Sequence, residues 1–394
     1  METAPTAAPT AAWVLVAGGF HQEGGMDRLN AALARYLAAQ GARVHLVGYR
    51  IEEKLATEFT VDWQVIPKTA GSFFLALPRL DRAGRAVAAR VNAIDPGARV
   101  VANGINCGWP DINWVHFVNH AWPVHVNIGP LWLRAKSRIE ARLTLQREKR
   151  ILPRARMLIA NSNRTRQDVI ERLGVPAERI VTVYPGLNSG WRPATKAERA
   201  AARASLGIPD TRPMVVFVGA LGHDPRKGFD TLWAAWQRLC TRNDWTATLL
   251  VAGGGRAVDG WRQTVERSQL GARVIFLGFT KRIADLLAAA DLLVSPARYE
   301  PYGLNVHEAI CRGVPAIVTA SSGVAERYPN ALADMLLPDA ENVDDLAARM
   351  LAWSRNISAF KERFEPFRRA LASWTADAMA GRIVELAQCR NKTA

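Results

Sequence analysis

Cysteine is scarce in this chain. Its four cysteines, Cys107, Cys240, Cys311 and Cys389, are scattered over 394 residues with no paired spacing. That argues against a disulfide framework or a zinc site and for a reducing compartment, the cytoplasm. Long apolar runs are also missing: none approaches the ~18 to 20 residues that a membrane-spanning helix needs. The N-terminus, METAPTAAPTAAWVLVAGGF, lacks a basic start, and its apolar stretch Trp13 to Phe20 is short and ends among glycines. It reads as a buried first strand behind an Ala/Pro/Thr tail, not as a secretory signal. Negative charge is the third shortage, with 36 Asp and Glu against 51 Lys and Arg, a net charge of +15. A field of that sign draws polyanions, whether nucleic acid, an anionic membrane surface or phosphorylated small molecules; the bland alternative is an arginine-rich proteome.

What is present is the composition of an ordinary globular protein, 49% apolar and 22% charged, long enough for two domains at roughly 150 residues each. Short apolar runs alternate with helical patterns. WVLVAGG, ARVHLVGY, VDWQVIP, ARVVAN, NWVHFVNH and RMLIANS form a first series of strands, ending near Leu187. A second series follows, with RPMVVFVGAL, ATLLVAGGG, ARVIFLGF, ADLLVSP and PAIVTA. Between the first two of these lies KGFDTLWAAWQRL, a helix that puts Phe229, Leu232, Trp233, Trp236 and Leu239 on one face. Turn residues at Gly186 and from Ser189 to Pro193 mark a linker. The rhythm predicts an α/β protein of two doubly wound, Rossmann-like parallel-sheet domains facing a cleft. Their limits are 1–188 and 189–370, with a C-terminal segment 371–394.

The stretch 131–172 departs from the average. It holds twelve basic residues against four acidic ones, Glu140, Glu148, Asp168 and Glu171. Its first half, LWLRAKSRIEARLTLQREKRIL, fits a helix at a membrane surface and equally an ordinary helix with a solvated basic face.

The densest chemical signal is SPARYEPYGLNVHEAICRGVPAIVT, from Ser295 to Thr319. Glu300 stands on a loop after a strand, and a helix is predicted from about Leu304 with Glu308 one to two turns inside it. A helix N-terminus offers free amides and partial positive charge to a phosphate, and a carboxylate further along suits a ribose diol. EPYGLNVHEA, with Ser295-Pro296, Gly313 and Pro315 around it, resembles the E-x7-E motif of retaining glycosyltransferases, in particular family 4 with the GT-B fold. FVGALGHDPRKGFDTLWAAW (Phe217 to Trp236) resembles that family's glycine-rich turn and Lys-Gly segment, although Ala220 stands where many members have arginine.

The resemblance implies a retaining glycosyltransferase. It would move a hexose from a nucleotide diphosphate sugar, UDP- or GDP-linked, to an unidentified acceptor such as a lipid-linked or cell-envelope glycan. Arg226 and Lys227 would hold the diphosphate, Glu308 the ribose, and Glu300 the donor sugar's hydroxyls. Gly303, Leu304 and Asn305 would add backbone amides, Tyr302 would lie in the same turn, and Phe279 would end the segment that reads the base. Gly24 and Gly25 resemble the family's N-domain glycine loop, or serve only as a strand-to-helix turn. The family often ends an N-domain strand with a histidine that meets the donor sugar; His120 is favoured here, with His116 and Asn119 as alternatives. The C-terminal segment with Trp374 resembles the family's final helix, which returns to the N-domain. No metal and no cofactor beyond the donor are implied. The partners expected are the nucleotide sugar, the acceptor and an anionic membrane surface through 131–172 on the inner face, with no nucleic acid. A nucleotide-sugar epimerase of the same fold and a non-enzymatic nucleic-acid binder are the other readings.

Overall fold

The computed structural model describes residues 11–59, 61–68, 73–123, 131–209 and 211–389. The expected N-terminal tail (residues 1–10) and residues 124–130 of the loop between Trp122 and Trp132 lie outside the described residues. The chain divides into two compact units. One comprises Met1–Pro123, Lys136–Gly186 and Thr375–Ala394, the other Val124–Ala135 and Leu187–Trp374.

The strands of the first unit are β1 (Trp13–Val16), β2 (Gly19–Phe20), β3 (Val44–Gly48), β4 (Arg50–Ile51), β5 (Val61–Val65), β6 (Arg99–Asn103), β7 (Ile112–Val115), β8 (Met157–Ala160) and β9 (Ile180–Thr182). Seven of them form one sheet in the order β5-β3-β1-β6-β7-β8-β9, with β2 and β4 pairing apart. Every pairing is parallel, and β1 sits between β3 and β6. The runs WVLV and MLIA are buried at every position, as strands covered on both faces require. The helices are α1 (Gly25–Ala39), α2 (Glu53–Glu58), α3 (Phe73–Ile94), α4 (Leu131–Ile151) and α5 (Asn163–Leu173). Local signals fix the ends of α5: the Ser162 side chain accepts from the Thr165 amide, and Gly174 closes the helix in the left-handed region. One core gathers Val14, Val16, Val47, Val100, Leu80 and Ala88 on one side of the sheet.

The second unit begins with α6 (Lys196–Ser205), held by a capping box between Thr195 and Glu198. Then follow β10 (Met214–Val218), α7 (Phe229–Cys240), β11 (Thr248–Ala252), α8 (Val258–Arg267), β12 (Val274–Gly278) and α9 (Ile283–Ala289). The remainder is β13 (Leu292–Ser295), α10 (Leu304–Cys311), β14 (Ala316–Thr319), β15 (Leu336–Leu337), α11 (Val343–Arg355) and α12 (Ile357–Ala372). The sheet order is β12-β11-β10-β13-β14-β15, again all parallel. The five apolar residues predicted for one face of α7 are all buried. Trp236 packs edge-on against Trp245, and Trp245 against Trp353. Finally α13 (Ala376–Cys389) belongs to the first unit, where Met379, Ala380 and Ile383 are buried and the Ala387 carbonyl accepts from Arg99 Nε at 3.2 Å. No helix of the described residues is long and apolar enough to cross a membrane.

Candidate functional site

In the second unit the chain winds from β10 through β11 to β12 in one direction, then returns to the other side of β10 with β13, β14 and β15. The strand order therefore reverses between β10 and β13. At such a switch point two successive loops leave the sheet in opposite directions, which opens a crevice at the carboxyl ends of the strands. The loop after β10 carries Arg226 and Lys227, and the loop after β13 carries Glu300 to Gly303. The two predicted motifs thus meet at this unit's switch point.

The contacts between these loops are specific. Lys227 Nζ pairs with Glu300 Oε2, both side chains being largely shielded from solvent. Arg226 Nη1 donates to the Tyr299 carbonyl at 3.4 Å, and its amide donates to Asp224 Oδ1 at 3.0 Å. Gly228 closes the cation loop at φ 69°, and a Cβ there would stand 1.9 Å from the Pro296 carbonyl oxygen. Only glycine permits both that backbone conformation and that approach. Gly303, at φ 103°, precedes the first turn of α10 with no side chain capping it. Position alone leaves the amides of Leu304 and Asn305 without helical partners, and the Asn305 side chain donates to the Val218 carbonyl of β10 at 2.9 Å. Glu308 is buried on the second turn of α10. The motif loop is also laced to the segment Gly323–Arg327, whose Gly323 and Val324 amides donate to the carbonyls of Glu300 (3.0 Å) and Tyr302 (2.6 Å).

Some residues expected at the ligand are placed differently. Tyr302 is buried, and its hydroxyl lies 2.8 Å from His307 Nδ1. Its side chain therefore reaches into the unit beneath the loop. Burial drives the His307 ring down to a pKa of about 3, so it is neutral. Phe279 follows β12 and is 68% exposed.

In the first unit the strand order reverses between β1 and β6. Gly24, at φ 87°, and Gly25 open α1 after β1 and β2, at that unit's own switch point. Beside them Asp27, whose pKa burial raises, lies 3.5 Å from His21 Nε2. Of the three residues weighed near β7, His116 is inside the unit, burial bringing its pKa to about 3. Asn119 and His120 stand on the turn beyond, where Glu148 of α4 accepts from both backbone amides at 2.7 and 2.9 Å. Glu148 Oε2 also lies 2.6 Å from His120 Nδ1. That carboxylate fixes the ring and orients its other nitrogen.

Sequence reasoning missed Arg298. Its guanidinium donates to both Asp230 oxygens at 2.8 and 2.7 Å, to Glu341 Oε1 at 2.7 Å and to the Pro225 carbonyl at 2.8 Å. Its amide donates to the Arg226 carbonyl at 2.8 Å. One residue of the motif loop thereby sets the position of the cation loop. The bonds to Asp230 raise the Arg298 pKa further; in return, against the opposing effect of burial, Asp230 is held below the usual carboxylate range. Among the described residues no cluster of three or more His, Cys, Asp or Glu side chains is arranged to hold a metal ion.

Comparisons with known proteins bear on the fold and the family. A D-inositol 3-phosphate glycosyltransferase of Nocardia farcinica is 30% identical over 206 residues, 50% of this chain and 45% of that protein. The chain's matches span less than half the length of the first curated relatives, 43%, 45% and 48%. By fold, it is similar to a sucrose-phosphate synthase from Thermosynechococcus elongatus, with TM-score 0.76 and 21% identity, covering 98% of this chain and 100% of that one. It is also similar to HepE of Anabaena, solved in complex with UDP and glucose, with TM-score 0.71 and 17% identity over 95% and 99% of the two chains. The family model described as glycosyltransferase family 4 matches residues 23–190, and the one described as glycosyl transferases group 1 matches residues 198–365. With those two models covering successive stretches of it, the chain belongs to the group 1 glycosyltransferases of family 4, on the GT-B fold.

Proposed function

We propose that this protein transfers a hexose from a nucleotide diphosphate sugar to a lipid-linked or cell-envelope glycan acceptor, with retention at the anomeric carbon. The observation that carries the reading is the meeting of Lys227, Arg226, Glu300 and the uncapped start of α10 at the β10–β13 switch point. A breaking sugar–phosphate bond leaves charge on the diphosphate. Two cations and the first amides of a helix stabilise that charge more in the transition state than in the ground state. Lys227 has three N–H donors, so its contact with Glu300 leaves others for a phosphate oxygen. In this scheme Glu300 holds the sugar's hydroxyls in register, Glu308 takes the ribose, and attack comes from the face the leaving phosphate vacates. The nucleotide is a uridine or guanosine diphosphate. HepE, of similar fold, was solved with UDP-glucose, which favours uridine as the first donor to try. The acceptor is met at an anionic membrane surface reached through the stretch 131–172.

Lys227→Ala is the direct test. It removes the ammonium and leaves Glu300 without that partner, so some thermal stability is lost; circular dichroism stays native while release of UDP or GDP in the presence of acceptor falls by about a hundredfold to a thousandfold. Full turnover by the variant overturns the diphosphate assignment. Release of free sugar or of an epimer without any acceptor overturns the transfer.

A further inference from the structure

A helix start is commonly fixed by a side chain at the N-cap, which accepts from one of the first amides. Gly303 fills that position in α10 and has no side chain to offer. The amides of Val306 and His307 reach back to the Gly303 carbonyl at 3.0 and 3.2 Å, so those of Leu304 and Asn305 stay open to a ligand. Another contact must then set the angle at which the chain enters the helix. Tyr302 precedes the cap, and His307 is the fourth residue of the helix. Those are the two places where an apolar pair often staples a helix start. Here the pair is polar. The Tyr302 hydroxyl lies 2.8 Å from His307 Nδ1, and the rings meet edge-on with their centroids 5.9 Å apart. A hydroxyl donates and accepts, so the neutral ring closes this bond in either tautomer. The two residues are 3% and 0% exposed, so water cannot replace either partner. On the other side of the turn, the Val324 amide donates to the Tyr302 carbonyl at 2.6 Å.

We propose that Tyr302 and His307 are positioning residues for the donor's diphosphate: their buried bond stands in for a capping side chain and leaves the first amides of α10 to the phosphate. The pair interleaves with the motif glutamates. Tyr302 follows Glu300 by two positions and His307 comes just before Glu308, so the bond closes across the segment that holds Gly303, Leu304 and Asn305. A capping serine or aspartate would hold the same turn but would occupy an amide that the phosphate needs, and an aspartate would add repelling charge. Neither Tyr302 nor His307 touches the ligand in this scheme; both act through the direction in which the amides point. The inference rests on the diphosphate reading above and adds the means by which the anion-binding turn is held.

The nucleoside diphosphate that wild type binds, UDP or GDP, is titrated calorimetrically beside its nucleoside, uridine or guanosine. Wild type is compared with Tyr302→Phe, His307→Leu and the double variant. Each single change leaves one buried polar atom without its partner. The diphosphate is then expected to bind about five- to tenfold more weakly, while the nucleoside, which has no phosphate, keeps its affinity. In the double variant phenylalanine and leucine rebuild the staple as an apolar pair. Diphosphate affinity then returns to within about threefold of wild type, the non-additivity expected of residues in contact. Circular dichroism checks the fold; should His307→Leu not fold, Tyr302→Phe, which keeps the ring, and the double variant carry the comparison. Unchanged diphosphate affinity in the single variants, with only the melting temperature lowered, makes the pair purely structural and overturns the proposal. Equal losses for diphosphate and nucleoside overturn it too, as do single losses that simply add in the double variant. All three results leave the diphosphate reading in place. A wild type that binds the nucleoside and gains nothing from the diphosphate removes that reading, and this inference with it.

Discussion

Arg298 shows how much of a candidate site can rest on one side chain that joins its loops. Its fork spans two loops, with Asp230 and Pro225 on one side and its own backbone beside Glu300 on the other. Lysine cannot reproduce that geometry, because a point charge replaces a planar set of donors. Arg298→Lys is therefore expected to raise the donor KM by about tenfold, with a smaller change in kcat, since the cations remain but drift. An unchanged KM would show that the loops hold their places without it. Glu308→Ala belongs to the same scale: losing a hydrogen bond to a charged group should weaken UDP or GDP binding by about 1–3 kcal/mol in calorimetric titration. Equal affinity in the variant contradicts the ribose role. Glu300, Glu308, Arg226 and Lys227 could be singled out from sequence because they lie in strings with fixed spacing. Arg298 was not, because its partners are separated from it by between 43 and 73 residues, and in sequence it is one more loop arginine.

At the scale of elements, α10 and its entry loop were predicted closely, from a strand ending at Ser295 to a helix opening at Leu304. Less legible was Tyr302. Its position in the turn pointed toward a ligand, yet the bond to His307 five residues on turns it inward, and no periodicity encodes such a pair. The burial of His307 has a consequence for acid stability. His307 has an ordinary pKa near 6.5 when unfolded and about 3 in the fold. The stability contributed by its neutral ring is fully present above pH ~6.5 and drains away as the pH falls toward 3. By pH 5 the loss is about 2 kcal/mol. Denaturant unfolding at pH 7 and pH 5 should show it, and His307→Gln should shrink the difference by that amount. A wild type indifferent to pH over this range would contradict a buried neutral histidine.

On the scale of the whole molecule, the two parallel sheets were legible because strand and turn signals are local. Less legible was which cations of 131–172 are exposed, since burial of Arg147 or Arg164 depends on partners brought in by the fold. The return of α13 to the first unit matters here. Met379, Ala380 and Ile383 bury its inner face, and the Gly186 amide lies 3.4 Å from Met379 Sδ. Ending the chain at Trp374 should lower the melting temperature of the first unit while nucleotide binding by the second persists. A single unshifted transition would show α13 to be dispensable. The same arrangement dictates an order of events at the ribosome. Nearly all of the second unit is translated as one uninterrupted run, Leu187–Trp374, and can collapse as soon as it emerges. The first unit, begun earlier, must wait with one flank open until its last helix is made, so the part synthesised first is the part finished last.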